Sequence, residues 1–228
     1  MIQRKEKHNP FGKMSRILYA GTFDPMTLGH VWMIKHGVEL TGGHLTIAIG
    51  VNPAKKPLFS LEKRLELLRA VSKECRDDYG APPEVTSYEN MFLVNYARQI
   101  GAEYILRGIR NQADAKDEQA MRNINQDLAP EIQTIFLMPP RELCEVSSSF
   151  VKGLVGPEGW RDVVSRYVSP EVLVALEERL DPKPPGTCGS SSCCAPSYPP
   201  TAFPVKGGYV LVEGGKATVV PGSGRHDS

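Results

Sequence analysis

The chain has 228 residues, of which 41 % are hydrophobic and 23 % are charged, and its formal net charge is +1. These proportions are those of an ordinary globular protein, long enough for one substantial domain with residues left over. A charge so close to zero gives no reason to expect nucleic-acid or membrane binding. No apolar run approaches the roughly 20 residues that a membrane-spanning helix requires.

Residues 1–15 are polar and mildly basic, and they lack the apolar stretch of a secretory signal. We therefore expect them to form a flexible N-terminal extension. Five cysteines are present, but only Cys75 and Cys144 fall in the part of the sequence that is typical of a folded domain. Because these two are isolated from each other, they favour a cytoplasmic protein with reduced thiols.

Between residues 16 and 180 the sequence alternates between strand-like and helix-like segments, and we assign this region to one domain. The apolar or β-branched runs that predict strands are 17–20, 44–51, 85–87, 104–106 and 133–138. The segments that favour helices are 29–40, 61–71, 91–100, 113–127, 149–155 and 170–180. Ser60 and Ser169 stand where their hydroxyls would cap the following helices, with Pro170 at a first helical position. The alternation predicts an α/β fold, a Rossmann-like doubly wound parallel sheet of five strands with helices on both faces.

The composition changes at Asp181, and residues 181–228 are predicted to form a tail. Seven prolines with glycine and serine make residues 181–204 typical of a linker. Two apolar runs flank a Gly-Gly pair and predict a β-hairpin over residues 209–220. The tail cysteines could bind a soft metal or form a disulfide, but no histidine or second cysteine pair lies near them, so we interpret them as linker residues. They are Cys188, Cys193 and Cys194.

In parallel α/β sheets the ligand lies at the carboxyl ends of the strands, so residues that carry chemistry should follow them. The first strand is followed by Gly21-Thr22-Phe23-Asp24-Pro25 and then by Thr27-Leu28-Gly29-His30. A Gly-Thr turn brings N–H groups and a hydroxyl to the strand end, and a glycine at a helix start lets a phosphate approach the backbone. His30, on the same first turn, could donate a hydrogen bond to a phosphoryl oxygen in the transition state.

Three further strand ends carry residues suited to phosphates. The second strand leads into Asn52-Pro53-Ala54-Lys55-Lys56-Pro57, where a stiff loop presents two ammonium groups. The fourth leads into Arg107-Gly108-Ile109-Arg110, whose planar guanidinium groups suit phosphate oxygens. Beyond the fifth, Val146-Ser147-Ser148-Ser149-Phe150-Val151-Lys152 places serines before an apolar helical run. Their hydroxyls and the free N–H groups of the helix start would form a cradle for phosphates.

These strings together resemble the motifs of the nucleotidyltransferase superfamily, and in particular those of bacterial phosphopantetheine adenylyltransferases. The G-T-F-D-P and T-x-G-H strings, the R-G-I-R element and the V-S-S-S-x-V-K string carry the resemblance, which covers about residues 17–180. It implies transfer of AMP from ATP to 4′-phosphopantetheine, which gives dephospho-coenzyme A and pyrophosphate in coenzyme A biosynthesis. It also implies Mg²⁺ as the partner of ATP, with no metal ligands from the protein, and a homo-oligomer, specifically a hexamer.

The resemblance further implies roles for individual residues. His30 would stabilise charge on the α-phosphate, and Thr22 and Lys55 would orient the attacking phosphate as the other two catalytic residues. The residues that would bind the acceptor are Thr22, Lys55, Leu93 and Arg107. The residues that would bind ATP are Thr22, Phe23, His30, Gly108, Ile109, Arg110, Glu118, Leu143, Cys144, Glu145, Val146, Ser147, Ser148 and Ser149.

The chain departs from the family pattern after the R-G-I-R element. Where the family has an aromatic-rich D-F-E-Y-E, this chain reads Asp114-Ala115-Lys116-Asp117-Glu118, which keeps Asp114 and Glu118 four residues apart on one helical face. Leu143 likewise replaces an aromatic residue that is common in the family. Glu118 keeps an alternative, since it could be an exposed helix carboxylate, whereas Lys56 is interpreted as a solvated loop residue. Similarly, Phe92 and Leu93 could belong to the core.

Two other functions stay open on the sequence alone. A nucleotidyltransferase that acts on nicotinamide mononucleotide or uses CTP would usually carry histidine in place of Thr27 and lack the R-G-x-R and serine strings. A non-catalytic homologue that binds a nucleotide or coenzyme A would have lost part of the catalytic set. That set is complete here, as Thr22, His30, Lys55, Arg107 and Arg110.

Overall fold

The computed structural model describes residues 15–41, 44–53, 56–75 and 82–180, together with the backbone of 202–205, 208–213 and 216–221. The chain divides into two compact units, Met1–Pro182 and Lys183–Ser228. No helix among the described residues is long and apolar enough to cross a membrane.

The first unit is built on one parallel sheet of five strands. These are β1 (Ile17–Gly21), β2 (Leu45–Val51), β3 (Glu84–Glu89), β4 (Tyr104–Gly108) and β5 (Gln133–Leu137). Their order is β3-β2-β1-β4-β5, and every neighbouring pair is parallel. The chain therefore adds β2 and β3 on one side of β1 and then crosses over to add β4 and β5 on the other side. Such sheets bind ligands at the switch point, which here lies between β1 and β4. The predicted Rossmann-like α/β fold is confirmed.

Helices cover both faces of this sheet. They are α1 (Leu28–Thr41), α2 (Leu61–Glu74), α3 (Leu93–Gln99), α4 (Gln112–Leu128), α5 (Ser148–Leu154), α6 (Trp160–Val164) and α7 (Pro170–Leu180). The sequence of β1 is apolar throughout because its alternate side chains enter two separate cores. Ile17 and Tyr19 pack with α1, α2, α6 and α7, whereas Leu18 and Ala20 pack with α3 on the other face.

Of the two predicted serine caps, the one at Ser60 is confirmed and the one at Ser169 is wrong. The Ser60 hydroxyl accepts a hydrogen bond from the Lys63 N–H at 3.2 Å and caps α2 as predicted. Pro170 is the first residue of α7, but the Ser169 hydroxyl is buried and has no partner among the described residues. The Ser169 carbonyl accepts from the Leu173 N–H at 3.0 Å, so the residue supports the helix through its backbone while its side chain turns inward. Helix α6 and a short 3-10 helix at Arg141–Leu143 were not predicted.

The second unit contains a three-stranded antiparallel sheet, with strands β6 (Ala202–Val205), β7 (Gly208–Glu213) and β8 (Lys216–Pro221) in that order. Strands β7 and β8 correspond to the hairpin predicted over 209–220. The linker prediction was wrong at 202–204, where β6 lies. The proline at 204 is compatible with a strand because β6 is at the edge of its sheet, where a missing N–H is tolerated. Residues 1–14 of the extension predicted over 1–15 lie outside the described residues, as do the three tail cysteines. Ser15, the last residue of that extension, is buried, and its hydroxyl donates to Glu103 Oε2 at 3.3 Å.

Candidate active site

A cleft of about 740 Å³ opens at the carboxyl ends of the parallel strands. Its wall combines the ends of β1 to β4, the first turn of α1, part of α4 and the segment that leads into α5. The predicted site residues in this wall are Thr22, His30, Arg107, Gly108, Arg110, Glu118, Leu143, Val146, Ser147, Ser148 and Ser149. The structure thus brings together residues that are more than 120 positions apart in the sequence, as the strand-end rule predicts.

His30 is fixed in one tautomer at the start of α1. Its Nδ1 accepts a hydrogen bond from the Thr27 backbone N–H at 3.0 Å and lies 2.9 Å from Thr27 Oγ1. Because Nδ1 is an acceptor, the neutral imidazole carries its proton on Nε2. Burial and, to a smaller extent, the positive charge of Arg110 together lower the pKa of His30 to about 4. At neutral pH His30 is therefore an uncharged N–H donor in the wall of the cleft.

Phe23 supports the His30 ring from behind. The two rings meet edge to face with centroids 5.1 Å apart, and Phe23 makes a second such contact with Tyr19 at 5.4 Å. Phe23 adopts a left-handed backbone conformation with φ of 48°, which is unfavourable for an aromatic residue and needs support from its surroundings. A Cβ atom on Gly21 would lie 3.1 Å from the Phe23 ring, so glycine leaves the room that this turn requires. The Phe23 side chain is buried and is not part of the cleft wall.

Two buried charged side chains hold the loop that carries Thr22. The Asp24 carboxylate accepts from the backbone N–H groups of Leu58 and Phe59 at 2.8 and 2.9 Å. In the opposite direction, Arg64 of α2 donates from Nη1 to the Thr22 carbonyl at 2.9 Å. Asp24 and Arg64 are each only 5 % exposed. The loop after β1 is thereby joined to the residues that lead into α2.

Arg64 was not predicted to be a site residue, although the sequence contains a signal for its buried position. Arg64 falls on the same helical face as Leu61, Leu65 and Leu68, where a charged residue is out of place unless it has buried partners. Asp24 also binds Lys152 Nζ at 3.4 Å, and this contact connects the first motif to the last residue of the serine string.

Both arginines of the R-G-I-R element are held by carboxylates of α4. Arg107 donates from Nε and Nη2 to the two oxygens of Glu118 at 2.8 and 2.5 Å, and from Nη1 to the Ala20 carbonyl at 2.9 Å. Arg110 makes a matching pair with Asp114, at 2.7 and 3.1 Å. The hydrogen bond from Arg110 holds the pKa of Asp114 below its usual value. The prediction that Asp114 and Glu118 share one helical face is confirmed, and bidentate pairing fixes the direction of each guanidinium group.

The three serines of the serine string make different contacts. Ser147 Oγ accepts from the Phe150 N–H at 3.0 Å and caps α5. Ser148 Oγ donates to the Pro25 carbonyl at 2.8 Å and joins the string to the first motif. Ser149 is exposed, and its hydroxyl has no hydrogen bond to any described residue. Only Ser149 therefore has a hydroxyl that is not engaged by the fold.

Five predicted site residues do not belong to the cleft wall. Besides Phe23, these are Leu93, which packs against the core on the α3 face, Ile109, Cys144 and the exposed Glu145. The Cys144 thiol donates to the carbonyls of Pro139 and Pro140 at 3.6 Å each. Lys55 lies outside the described residues, and the neighbouring Lys56 is exposed. Phe92 is 62 % exposed, so it is not a core residue.

Several wall residues escaped the sequence analysis. They are chiefly residues on and after β2 and β3, together with one side chain of β1 and one of α1, namely Tyr19, Met33, Gly50, Asn52, Tyr88, Asn90 and Met91. The sequence analysis assigned no chemistry to the end of the third strand, although Asn90 directly follows it and has a positive φ of 56°. The end of the third strand contains none of the motif strings that mark the other strand ends, so it gave no signal for phosphate chemistry.

Comparison with known proteins identifies the family of the chain. The family model described as cytidylyltransferase-like matches residues 18–153, which is more than half of the chain. The chain belongs to this family of nucleotidyltransferases. Among solved structures, the Plasmodium falciparum nicotinic acid mononucleotide adenylyltransferase complexed with NaAD aligns with a TM-score of 0.52 at 11 % identity. The alignment covers 72 % of this chain and 95 % of the Plasmodium protein, and at this identity it shows a likeness of fold alone.

Curated relatives narrow the class further. The phosphopantetheine adenylyltransferase of Chromobacterium violaceum is 51 % identical over 155 residues, which span 68 % of this chain and 91 % of that protein. The phosphopantetheine adenylyltransferase of Neisseria meningitidis serogroup C is 50 % identical over 155 residues, or 67 % and 86 % of the two chains. Within the wider family, the chain is therefore a member of the phosphopantetheine adenylyltransferases, as its motifs predicted.

Proposed function

We propose that the protein transfers the adenylyl group of ATP to 4′-phosphopantetheine, forming dephospho-coenzyme A and pyrophosphate in coenzyme A biosynthesis. The names of the relatives support this reaction. The observation that carries it is His30, a neutral imidazole with its proton on Nε2, in a cleft that also contains Arg107 and Arg110. A fixed uncharged donor beside two oriented cations suits a phosphoryl centre whose negative charge is redistributed in the transition state.

The reaction needs no covalent enzyme intermediate. A phosphate oxygen of the acceptor attacks the α-phosphorus of ATP, and the bond from that phosphorus to the bridging oxygen of pyrophosphate breaks on the opposite side. His30 Nε2–H binds an oxygen of the α-phosphate. Thr22 and Lys55 orient the attacking phosphate, and Arg107 binds on the acceptor side. The enzyme contributes mainly by positioning the two reactants, which is why the ties from Asp24 and Arg64 to the Thr22 loop matter.

ATP occupies the half of the cleft near β4 and β5. Arg110 and the serine string bind the leaving pyrophosphate, and the unengaged hydroxyl of Ser149 is available to donate to a phosphate oxygen. Glu118 contributes on the nucleotide side while its pair with Arg107 fixes that guanidinium group. Leu143 and Val146, which line the cleft, supply further nucleotide contacts from the segment that leads into α5.

Mg²⁺ accompanies ATP in this proposal and neutralises charge on its phosphate oxygens. Among the described residues, no group of three or more histidine, cysteine or acidic side chains is arranged to hold a metal ion. Asp114 and Glu118, the carboxylates nearest the arginines, are both engaged in bidentate pairs. Mg²⁺ would then be held mainly through the phosphates of ATP, a mode of binding that it commonly adopts in nucleotide sites.

We extend the proposal to assembly and location. Helix α4 exposes Met121, Ile124 and Leu128, which are between 42 and 49 % exposed and form an apolar face that supports association into a homo-oligomer, by resemblance a hexamer. Cys75 and Cys144 form no disulfide among the described residues, and we take this as support for a cytoplasmic location.

Pyrophosphate release tests the proposed reaction directly. The protein is incubated with Mg-ATP and one acceptor at a time: 4′-phosphopantetheine, nicotinamide mononucleotide, or none. We expect release only with 4′-phosphopantetheine. Release with nicotinamide mononucleotide, or with CTP in place of ATP, would support another nucleotidyltransferase activity. Absence of release with every acceptor would support a binding protein that has lost catalysis.

A further inference from the structure

Tyr88 lies near the end of β3, directly opposite Gly50 of β2 in the sheet register, and both residues line the cleft. Its ring is fixed from behind by Tyr96, on which it stacks with centroids 4.8 Å apart and an interplanar angle of 13°. Tyr96 is itself buried and donates its hydroxyl to Thr86 Oγ1 at 3.3 Å. The direction of the Tyr88 side chain is therefore determined by the fold.

Gly50 provides the space for the Tyr88 hydroxyl. A Cβ atom at position 50 would lie 2.9 Å from Tyr88 Oη and 3.2 Å from Cζ, so any other residue would displace the phenol. The hydroxyl makes no hydrogen bond to any described residue, although a partly buried phenol normally has a partner. Burial raises the pKa of Tyr88, so the group is protonated at neutral pH and can donate a hydrogen bond.

The sheet order decides which reactant this hydroxyl faces. Strands β3 and β2 lie on one side of β1, whereas β4 and β5, with Arg110 and the serine string beyond them, lie on the other. Apart from Thr22, Phe23 and His30, which follow the central strand β1, the proposed nucleotide contacts belong to the β4–β5 side. The β2–β3 side is left for the acceptor, whose attacking phosphate is oriented by residues that follow β1 and β2.

We propose that the Tyr88 hydroxyl donates a hydrogen bond to an amide oxygen of the acceptor arm and is a specificity-determining residue of this enzyme. The inference rests on the proposed function and adds one contact to it. Amide carbonyls are the polar groups that an acceptor of the pantetheine class carries along its arm. A free donor at a fixed position favours such an acceptor over one with an apolar group there.

Steady-state pyrophosphate release by Tyr88→Phe tests the inference. This change removes the hydroxyl and keeps the ring that stacks on Tyr96. We expect kcat/KM for 4′-phosphopantetheine to fall about five- to tenfold, the scale of one hydrogen bond between uncharged groups, with KM for ATP unchanged. Tyr96→Phe is the matched control, since it also removes one phenolic hydroxyl but one that faces Thr86. It should leave kcat/KM for the acceptor within about twofold of the wild type.

The variant Gly50→Ala provides an independent test of the same inference. The added methyl displaces the hydroxyl, so this variant should lose acceptor kcat/KM as Tyr88→Phe does, and the double variant should lose little more than either alone. An unchanged acceptor kcat/KM in Tyr88→Phe, an equal loss in Tyr96→Phe, or fully additive losses would each overturn the inference. If the wild type released no pyrophosphate with 4′-phosphopantetheine, the proposed function itself would fail. An active wild type with an unaffected Tyr88→Phe would refute only the role of Tyr88.

Discussion

The low pKa of His30 makes the stability of the protein depend on pH in a direction that can be worked out. In the unfolded chain the imidazole titrates at about 6.5, whereas in the native state burial lowers its pKa to about 4. At pH 8 both states are neutral, and His30 has no effect on the balance between them. As the pH falls below 6.5 the unfolded state binds a proton that the native state does not, so the free energy of unfolding decreases.

The size of this decrease follows from the two pKa values. At pH 5 an imidazole with a pKa of 6.5 is about 97 % protonated, whereas one with a pKa of about 4 is still about 90 % neutral. The difference corresponds to a loss of about 2 kcal/mol of unfolding free energy between pH 8 and pH 5. His30→Gln removes the titrating group, so this part of the pH dependence should disappear in the variant.

Urea denaturation of both proteins at pH 8 and pH 5 measures the effect. We expect the stability difference between wild type and His30→Gln to shift by about 2 kcal/mol in favour of the variant at the lower pH. The native pKa itself can be read from the pH titration of the His30 ring signals by NMR. A stability difference that stays constant with pH, or a ring that titrates near 6.5, would refute the assignment of a buried neutral imidazole.

Three further predictions concern the same loops. His30→Ala should lower turnover by at least ~100-fold in the pyrophosphate assay with little change in ATP affinity, because it removes a donor that acts in the transition state; near-normal turnover would contradict this role. Arg64→Met leaves the Thr22 carbonyl without its donor and should lower kcat/KM by roughly 10- to 100-fold, with Arg64→Lys in between; equal activity of all three proteins would show that the tie does not position Thr22. Asp24→Asn places an amide donor against two backbone donors, so urea denaturation should show a loss of about 2 kcal/mol of unfolding free energy. An unchanged urea midpoint would argue against the contacts of Asp24 with Leu58 and Phe59 as a source of stability.

The sequence predicts the parallel sheet well because each strand is a short run of apolar residues bounded by a turn. The same reasoning succeeded at Ser60, where a local cap needs only residues within one turn. It failed at Ser169, since the direction of that hydroxyl depends on packing that no neighbouring residue reveals. It also failed at 202–204, where a proline is compatible with an edge strand but reads as a breaker in isolation.

The sequence motifs predict which residues of several strand ends come together. Arg107, Arg110, His30 and the serine string all reach one cleft, because they follow strands whose carboxyl ends share one edge of the sheet. Tyr88 could not be found in this way, since its importance depends on the glycine that faces it from a neighbouring strand. A cross-strand relation between an aromatic residue and a glycine has no fixed spacing in the sequence.

The motif strings also bind one another, which changes how their residues should be interpreted. Asp24 accepts from Leu58, Phe59 and Lys152, and Ser148 donates to the Pro25 carbonyl. Three strand-end segments, those after β1, β2 and β5, are therefore joined through one loop. It follows that some motif residues act by holding other segments rather than by touching a reactant. Substitutions at Asp24 should therefore change stability and catalysis together, whereas Ser149, whose hydroxyl the fold does not engage, should affect catalysis alone.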